Sequence, residues 1–285
     1  MTVGVFGLGR GPVPGGSNRQ KSTLKIAFWL LSSLVAFGYS HPSQADDIRV
    51  GHVEQVKTRG VFLPIYTVWN KNAVATVVLY SGGGGYGKIG VDGWPGSMNF
   101  LIRSAKLFAE HPFNVVLVGR ATDVLSLDGP TRIGDDHDLD NRAIFQEIKS
   151  KSAAPIWLVG TSMGTISVTA AATRDIGSNI AGIVLTSSVT AYRIKGAVPT
   201  QELAKIKVPV LVLHHERDAC KVCSPYEAKD IAGALKNAPV KKTVLVSGGD
   251  GASGDPCEAL HHHGFIGIEQ EAVDLIANWV MHPSR

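Results

Sequence analysis

The apolar run Pro155-Ile156-Trp157-Leu158-Val159 is followed at once by Gly160-Thr161-Ser162-Met163-Gly164 and then by a helix-forming stretch, Thr165 to Thr173. No other stretch of the 285 residues constrains the fold as much. A buried strand must turn sharply into a helix within five residues. The turn leaves the serine hydroxyl standing above the end of a sheet. The two flanking glycines fit a place where any side chain would strike the neighbouring backbone. A glycine-rich chain, with 32 glycines here, carries such a pentapeptide by chance often enough that the motif needs support from elsewhere in the sequence.

Around it, apolar and amphipathic segments alternate. Ile48 to Val56 and Phe62 to Trp69 read as strands, with Arg59-Gly60 as the turn of an antiparallel hairpin. Thr76 to Tyr80, Phe113 to Val118, Ile180 to Thr186, Val208 to Leu213 and Lys242 to Val246 read as further strands. Helices are expected over Ser97 to Glu110, Asn141 to Lys151, Tyr226 to Lys236 and Ile268 to Val280. Near-continuous apolar strands separated by helices predict an α/β domain whose mostly parallel central sheet is covered on both faces. Ser188 to Lys207 is too short for a large inserted lid, so the cap is expected to be minimal.

Residues 1–45 read apart from this domain, which is expected to run as a single unit over 46–285. Lys21 and Lys25 precede an apolar run from Ile26 to Gly38, and Ser43-Gln44-Ala45 supplies a small-residue cleavage site. This is the layout of a secretory signal peptide behind a Gly/Pro-rich extension. The run is shorter than the roughly 20 residues that span a bilayer. The mature chain is therefore expected to be exported, periplasmic or secreted, with no stable membrane partner. There its three cysteines, Cys220, Cys223 and Cys257, would meet an oxidising environment. The net charge of +4 is mild and no basic cluster is interleaved with aromatics, which argues against nucleic acid.

A serine nucleophile needs a base and a carboxylate to orient that base. The strand Val208 to Leu213 runs into His214-His215-Glu216-Arg217-Asp218, which offers Asp218 first and Glu216 as the competing acid. The segment before the last helix contains His261-His262-His263-Gly264-Phe265, and His263 at the helix entry is the best-placed base. His214, His215, His261 and His262 read as packing or loop residues. Adjacent loop histidines lack metal-ligand spacing, so no metal is expected, and such a set needs no cofactor. Backbone N–H groups must also face the developing negative charge. Met163 is the natural first donor. Ser81-Gly82-Gly83-Gly84-Gly85 offers the second, with Gly83 ahead of Gly84.

In this order, the glycine run, the elbow, the post-strand acid and the pre-helix histidine resemble the α/β-hydrolase superfamily over roughly residues 48–281. The resemblance implies a serine hydrolase with an acyl-enzyme, acting on a small-molecule ester. Ser162 would be the nucleophile, His263 the base and Asp218 the orienting acid. Ser81 stands where lipases and esterases often carry a histidine, which leaves the second donor open.

Other patterns in the chain compete with this one. Gly82-x-x-x-x-Gly87-Lys88 approaches a phosphate-binding loop but ends in Ile89, which has no hydroxyl for Mg²⁺. Cys220-Lys221-Val222-Cys223 has the spacing of a redox pair. Its place beside Asp218 favours a structural role instead, with Cys220 or Cys223 bonded to Cys257 so that the acid and base loops are tied. A non-catalytic binding protein on the same scaffold is the remaining alternative. The charged segment Asp123 to Asp140, with Arg132, Asp135, Asp136 and His137, is read as a loop that lines the pocket or faces solvent.

Overall fold

The computed structural model describes residues 51–86, 96–175 and 179–284. The expected leader, and Gly87, Lys88 and Ile89 of the phosphate-loop pattern, lie outside these residues. Strands β1 (His52–Thr58) and β2 (Val61–Val68) form the opening hairpin. Arg59 and Gly60 both have positive φ, 46° and 84°, the two-residue turn whose twist matches that of paired strands. Strands β3 (Ala75–Tyr80), β4 (Phe113–Val118), β5 (Ile156–Thr161), β6 (Ile180–Thr186), β7 (Val210–His215) and β8 (Lys241–Val246) follow. One eight-stranded sheet results, in the order β1-β2-β4-β3-β5-β6-β7-β8. Strand β2 runs antiparallel to both neighbours, and every pair from β4 to β8 is parallel.

The strands read as continuous apolar runs because both faces are covered. Along β3, Val77 and Leu79 pack on one side with Phe108, Ile276 and Trp279. That side carries α1 (Phe100–Arg103), α2 (Ala105–Glu110) and α7 (Glu269–Met281). Val78 and Tyr80 pack on the other side with Ile144, Ile148, Val168 and Ile231. Those residues belong to α4 (Asp135–Lys151), α5 (Gly164–Thr173) and α6 (Ala228–Ala234). Alternate residues of one strand thus feed two cores, as the pleat requires. A short helix, α3 (Gly129–Arg132), precedes α4.

Three helical expectations need correction. The helix over Ser97 to Glu110 is two helices, with Ser104 ending the first and opening the second. The helix of Tyr226 to Lys236 is only α6, behind a 3-10 turn over Pro225–Glu227. The helix expected from Asn141 begins at Asp135. Asp135, Asp136 and Asp138 occupy its first turn, where carboxylates complement the positive end of the helix dipole. Part of the supposed charged loop is therefore a helix start. Between β6 and β7 the chain makes only two 3-10 turns, Val198–Thr200 and Leu203–Lys205, so the cap is minimal there.

Candidate active site

Ser162 follows the last residue of β5 with φ 52°. An L-residue resists this conformation because its Cβ crowds the backbone, by about 1–2 kcal/mol. The surroundings hold it there. The Ser162 N–H donates to the Thr186 carbonyl at 3.0 Å, and its own carbonyl accepts from the N–H and Oγ1 of Thr165 at 2.9 and 2.7 Å. The glycines follow from space: a Cβ on Gly164 would stand 2.0 Å from the Tyr80 carbonyl oxygen, and one on Gly160 2.7 Å from that of Gly164. Met163 lies at the head of α5, where the first N–H groups have no helical acceptor.

Asp218 sits three residues beyond β7 and His263 in a 3-10 turn, His262–Gly264. His263 Nδ1 lies 2.8 Å from Asp218 Oδ2, with side-chain exposures of 5% and 0%, so water does not compete for the contact. Asp218 Oδ1 accepts from the Cys220 N–H at 2.9 Å. The base loop is anchored as well. Ser187 Oγ donates to the His263 carbonyl at 2.8 Å, and Arg103, paired with Glu269, donates to that of Gly264 at 2.6 Å. With Nδ1 turned to the carboxylate, Nε2 is left buried without a hydrogen-bond partner.

The competing residues have other duties. Glu216 is exposed and its N–H pairs with Val246. His214 Nε2 accepts from the Ser188 N–H at 2.9 Å, and burial pulls its pKa down to about 4. His215 accepts from the Arg217 N–H and bonds the Gly248 carbonyl, each at 3.0 Å. His262 stacks on His215 with ring centres 4.6 Å apart, and His261 meets His262 edge-on.

The glycine run turns between Gly82 and Gly85, with Gly83 at φ 56°. Beneath it lies Arg132, a residue the sequence placed in a pocket-lining or solvated loop. That placement is overturned, because Arg132 is only 1% exposed. Its Nη2 donates to the carbonyls of Ser81 and Gly83 at 3.1 and 3.0 Å, its Nε to Leu127 at 2.8 Å, and its Nη1 to Ser167 Oγ at 2.8 Å. Burial pulls its pKa down to about 9, so it stays cationic at neutral pH. His137, on the far side of Ser167, is pushed down to about 3, by burial first and Arg132 second. In a trans peptide the C=O and N–H point in opposite directions. With the Ser81 and Gly83 carbonyls turned to Arg132, the N–H groups of Gly82 and Gly84 face away from it.

A cleft of 450 Å³ joins these parts. It is lined by Gly82–Gly85, the turn before α1, Thr161–Met163, the acid loop at Cys220 and Val222, and the base loop at Cys257–Ala259 and His263–Gly264. No residue of the Asp123–Asp140 segment lines it; a larger groove of 780 Å³ runs along α7, apart from these side chains. Cys220 is bonded to Cys257, which bridges the acid and base loops, and Cys223 is a free, buried thiol. The Cys220–Cys223 redox pair therefore does not form. Burial pushes the Cys223 thiol pKa up, and the nearby Ser162 hydroxyl opposes that shift. Ser162 and His263 share the cleft, and Nε2 of His263 has no hydrogen-bond partner there.

No family model matches this sequence, and no curated protein matches it. Solved structures do. A dienelactone hydrolase from Anabaena variabilis superposes with TM-score 0.58 at 14% identity, over 83% of this chain and 99% of that one. A thermostable carboxylesterase from a metagenomic library gives 0.56 at 16% identity, over 81% and 88%. A serine hydrolase without a lid from Xanthomonas campestris gives 0.54 at 16% identity, over 82% and 96%. At such identities the likeness speaks for architecture, and together with the strand order and the turn after β5 it establishes that this chain has the fold of the α/β-hydrolase superfamily.

Proposed function

We propose that the protein is a serine hydrolase that cleaves small carboxylic esters through an acyl-enzyme. The observation that carries this reading is the buried His263–Asp218 pair, whose free Nε2 shares a cleft with a serine on a left-handed turn. In the reaction, the Ser162 hydroxyl turns to Nε2, which takes its proton as Oγ attacks the carbonyl carbon. Asp218 fixes the ring tautomer and stabilises the imidazolium without taking the proton itself. The oxyanion meets the Met163 N–H and an N–H of the Gly83–Gly84 stretch. His263 then protonates the departing alcohol, and water deacylates Ser162 by the same route. The esterases and hydrolases among the structural neighbours support the ester class.

A fluorophosphonate probe tests the nucleophile. It is expected to label the native protein and not Ser162→Ala; well-folded native protein that stays unlabelled would favour the binding-module alternative. A series of p-nitrophenyl esters of rising chain length then reads the acyl preference. On the best of these, Asp218→Asn is expected to lower kcat by about 10³–10⁴, and Glu216→Gln to leave it within twofold.

A further inference from the structure

The mechanism leaves unused the cysteines that surround its base. The sulfurs of Cys220 and Cys223 and a ring nitrogen of His263 lie within 4.8 Å of one another, all buried. Asp218 occupies Nδ1, so the nitrogen free to bind is Nε2, the buried atom without a partner. In the oxidised chain Cys220 spends its sulfur on Cys257. Reduction returns it and brings a fourth donor, since the Cys257 sulfur departs from the same spot.

We infer that the reduced protein holds a soft divalent cation, zinc above all, in a Cys220–Cys223–Cys257–His263 site built on its own catalytic base. Three thiolates and one imidazole form one of the tetrahedral donor sets that zinc favours. Ligand atoms of such a site stand about 3.5–4 Å apart, given bond lengths of about 2.0–2.3 Å. The three donors already gathered therefore need to close by at most about 1.3 Å, and the Cys257 sulfur must draw back from that of Cys220 by about 1.5–2 Å once the bond is reduced. The outer shell is already present: Asp218 on Nδ1 makes the carboxylate–histidine arrangement that fixes a metal-binding imidazole and raises its basicity.

A phosphine reductant takes up oxygen from water to become its oxide, and the two protons of that water leave Cys220 and Cys257 as thiols. Zinc then forms three bonds to sulfur and one to Nε2, and the three thiol protons pass to solvent. Because those protons are released, binding strengthens as pH rises. The consequence for activity rests on the hydrolase reading: a metallated Nε2 cannot accept the Ser162 proton. Oxidation would then turn two of the three sulfurs from metal ligands into the clamp that joins the acid and base loops.

The test titrates the full chain with Co²⁺ under anaerobic conditions, after phosphine reduction and with folding checked by circular dichroism. The reduced protein is expected to develop a thiolate-to-cobalt charge-transfer band that saturates at one equivalent and is bleached by Zn²⁺. The oxidised protein is expected to show none. Cys223→Ala and His263→Ala should each weaken the reduced site at least tenfold. Micromolar Zn²⁺ should silence the reduced enzyme and leave the oxidised enzyme untouched, with a chelator restoring activity. No band in folded reduced protein, or equal binding by the oxidised form, overturns the site. If reduction melts the chain, Cys257→Ser frees Cys220 and offers three of the four donors to the same titration; absence of a band there also overturns it. The cobalt spectrum needs no turnover, so a protein that fails the fluorophosphonate test can still pass this one.

Discussion

Arg132 is a buried cation for which no carboxylate lies at ion-pair distance among the described residues. Its hydrogen bonds go to backbone carbonyls and a serine. Two of those carbonyls belong to the glycine run, so the charge fixes the direction of the peptide dipoles above the cleft and polarises them. Arg132→Met is expected to cut kcat by about 10²–10³, the scale of losing an oxyanion donor, with little change in KM. Arg132→Lys should not rescue it, because one ammonium cannot span the carbonyls of Ser81, Gly83 and Leu127. Kinetics on a p-nitrophenyl ester, beside urea unfolding of the same variants, separates this from a loss of stability. The place of Ser162 on the turn after β5 and the meeting of Asp218 with His263 were legible in the sequence because the fold fixes their order and their distance from strand ends. Arg132 was not. It binds main-chain carbonyls, which every sequence supplies, so no partner residue announces it. Between Cys220 and Cys223 the choice of disulfide partner was equally hidden, since both lie close to Asp218 along the chain.

At the scale of elements, the strands could be read with near-final bounds. A strand buried on both faces must be apolar along its length, and Ile180 to Thr186 was found as expected. Helix ends were harder. The aspartates that begin α4 look like loop residues, and Asp140, in the next turn, finds its partner only once the hairpin is in place. Arg59, in the β1–β2 turn, reaches Asp140 through Nε at 2.8 Å and Nη2 at 3.0 Å, and Asp123 through Nη1 at 2.9 Å. Asp140 is 3% exposed and also accepts from Thr58. This lock ties the hairpin to α4. Arg59→Met would leave a buried carboxylate unpaired and is expected to cost about 3 kcal/mol in urea unfolding. Asp140→Leu in the same chain should recover much of the loss, because it removes the stranded charge.

The molecule as a whole should be sensitive to mild acid. His137 and His214 are buried and neutral when folded, with pKa values pulled down to about 3 and about 4. In the unfolded chain both return to the ordinary histidine value of about 6.5. Above that pH neither state is charged, and their contribution is fully present. As pH falls from about 6.5 toward 4 and then 3, the unfolded chain binds protons that the folded one cannot, so stability drains away. At the bottom of the window His214 contributes a loss of about 3 kcal/mol and His137 one of about 5 kcal/mol. Urea midpoints are expected to be level from pH 8 to 7 and to fall steadily toward pH 4; a level curve down to pH 4 would contradict the burial of both rings. Ser162 at φ 52° carries a consequence of another kind. A residue kept in a backbone region that disfavours its own Cβ holds the protein below the stability its fold could reach. Ser162→Gly relieves that strain of about 1–2 kcal/mol and gives back roughly half through backbone entropy. Compared with Ser162→Ala, which lacks the same hydroxyl, the glycine variant should melt about 1–3 °C higher. On the hydrolase reading, the backbone that presents the Ser162 hydroxyl is the same one that lowers stability, and the more durable variant is the inert one.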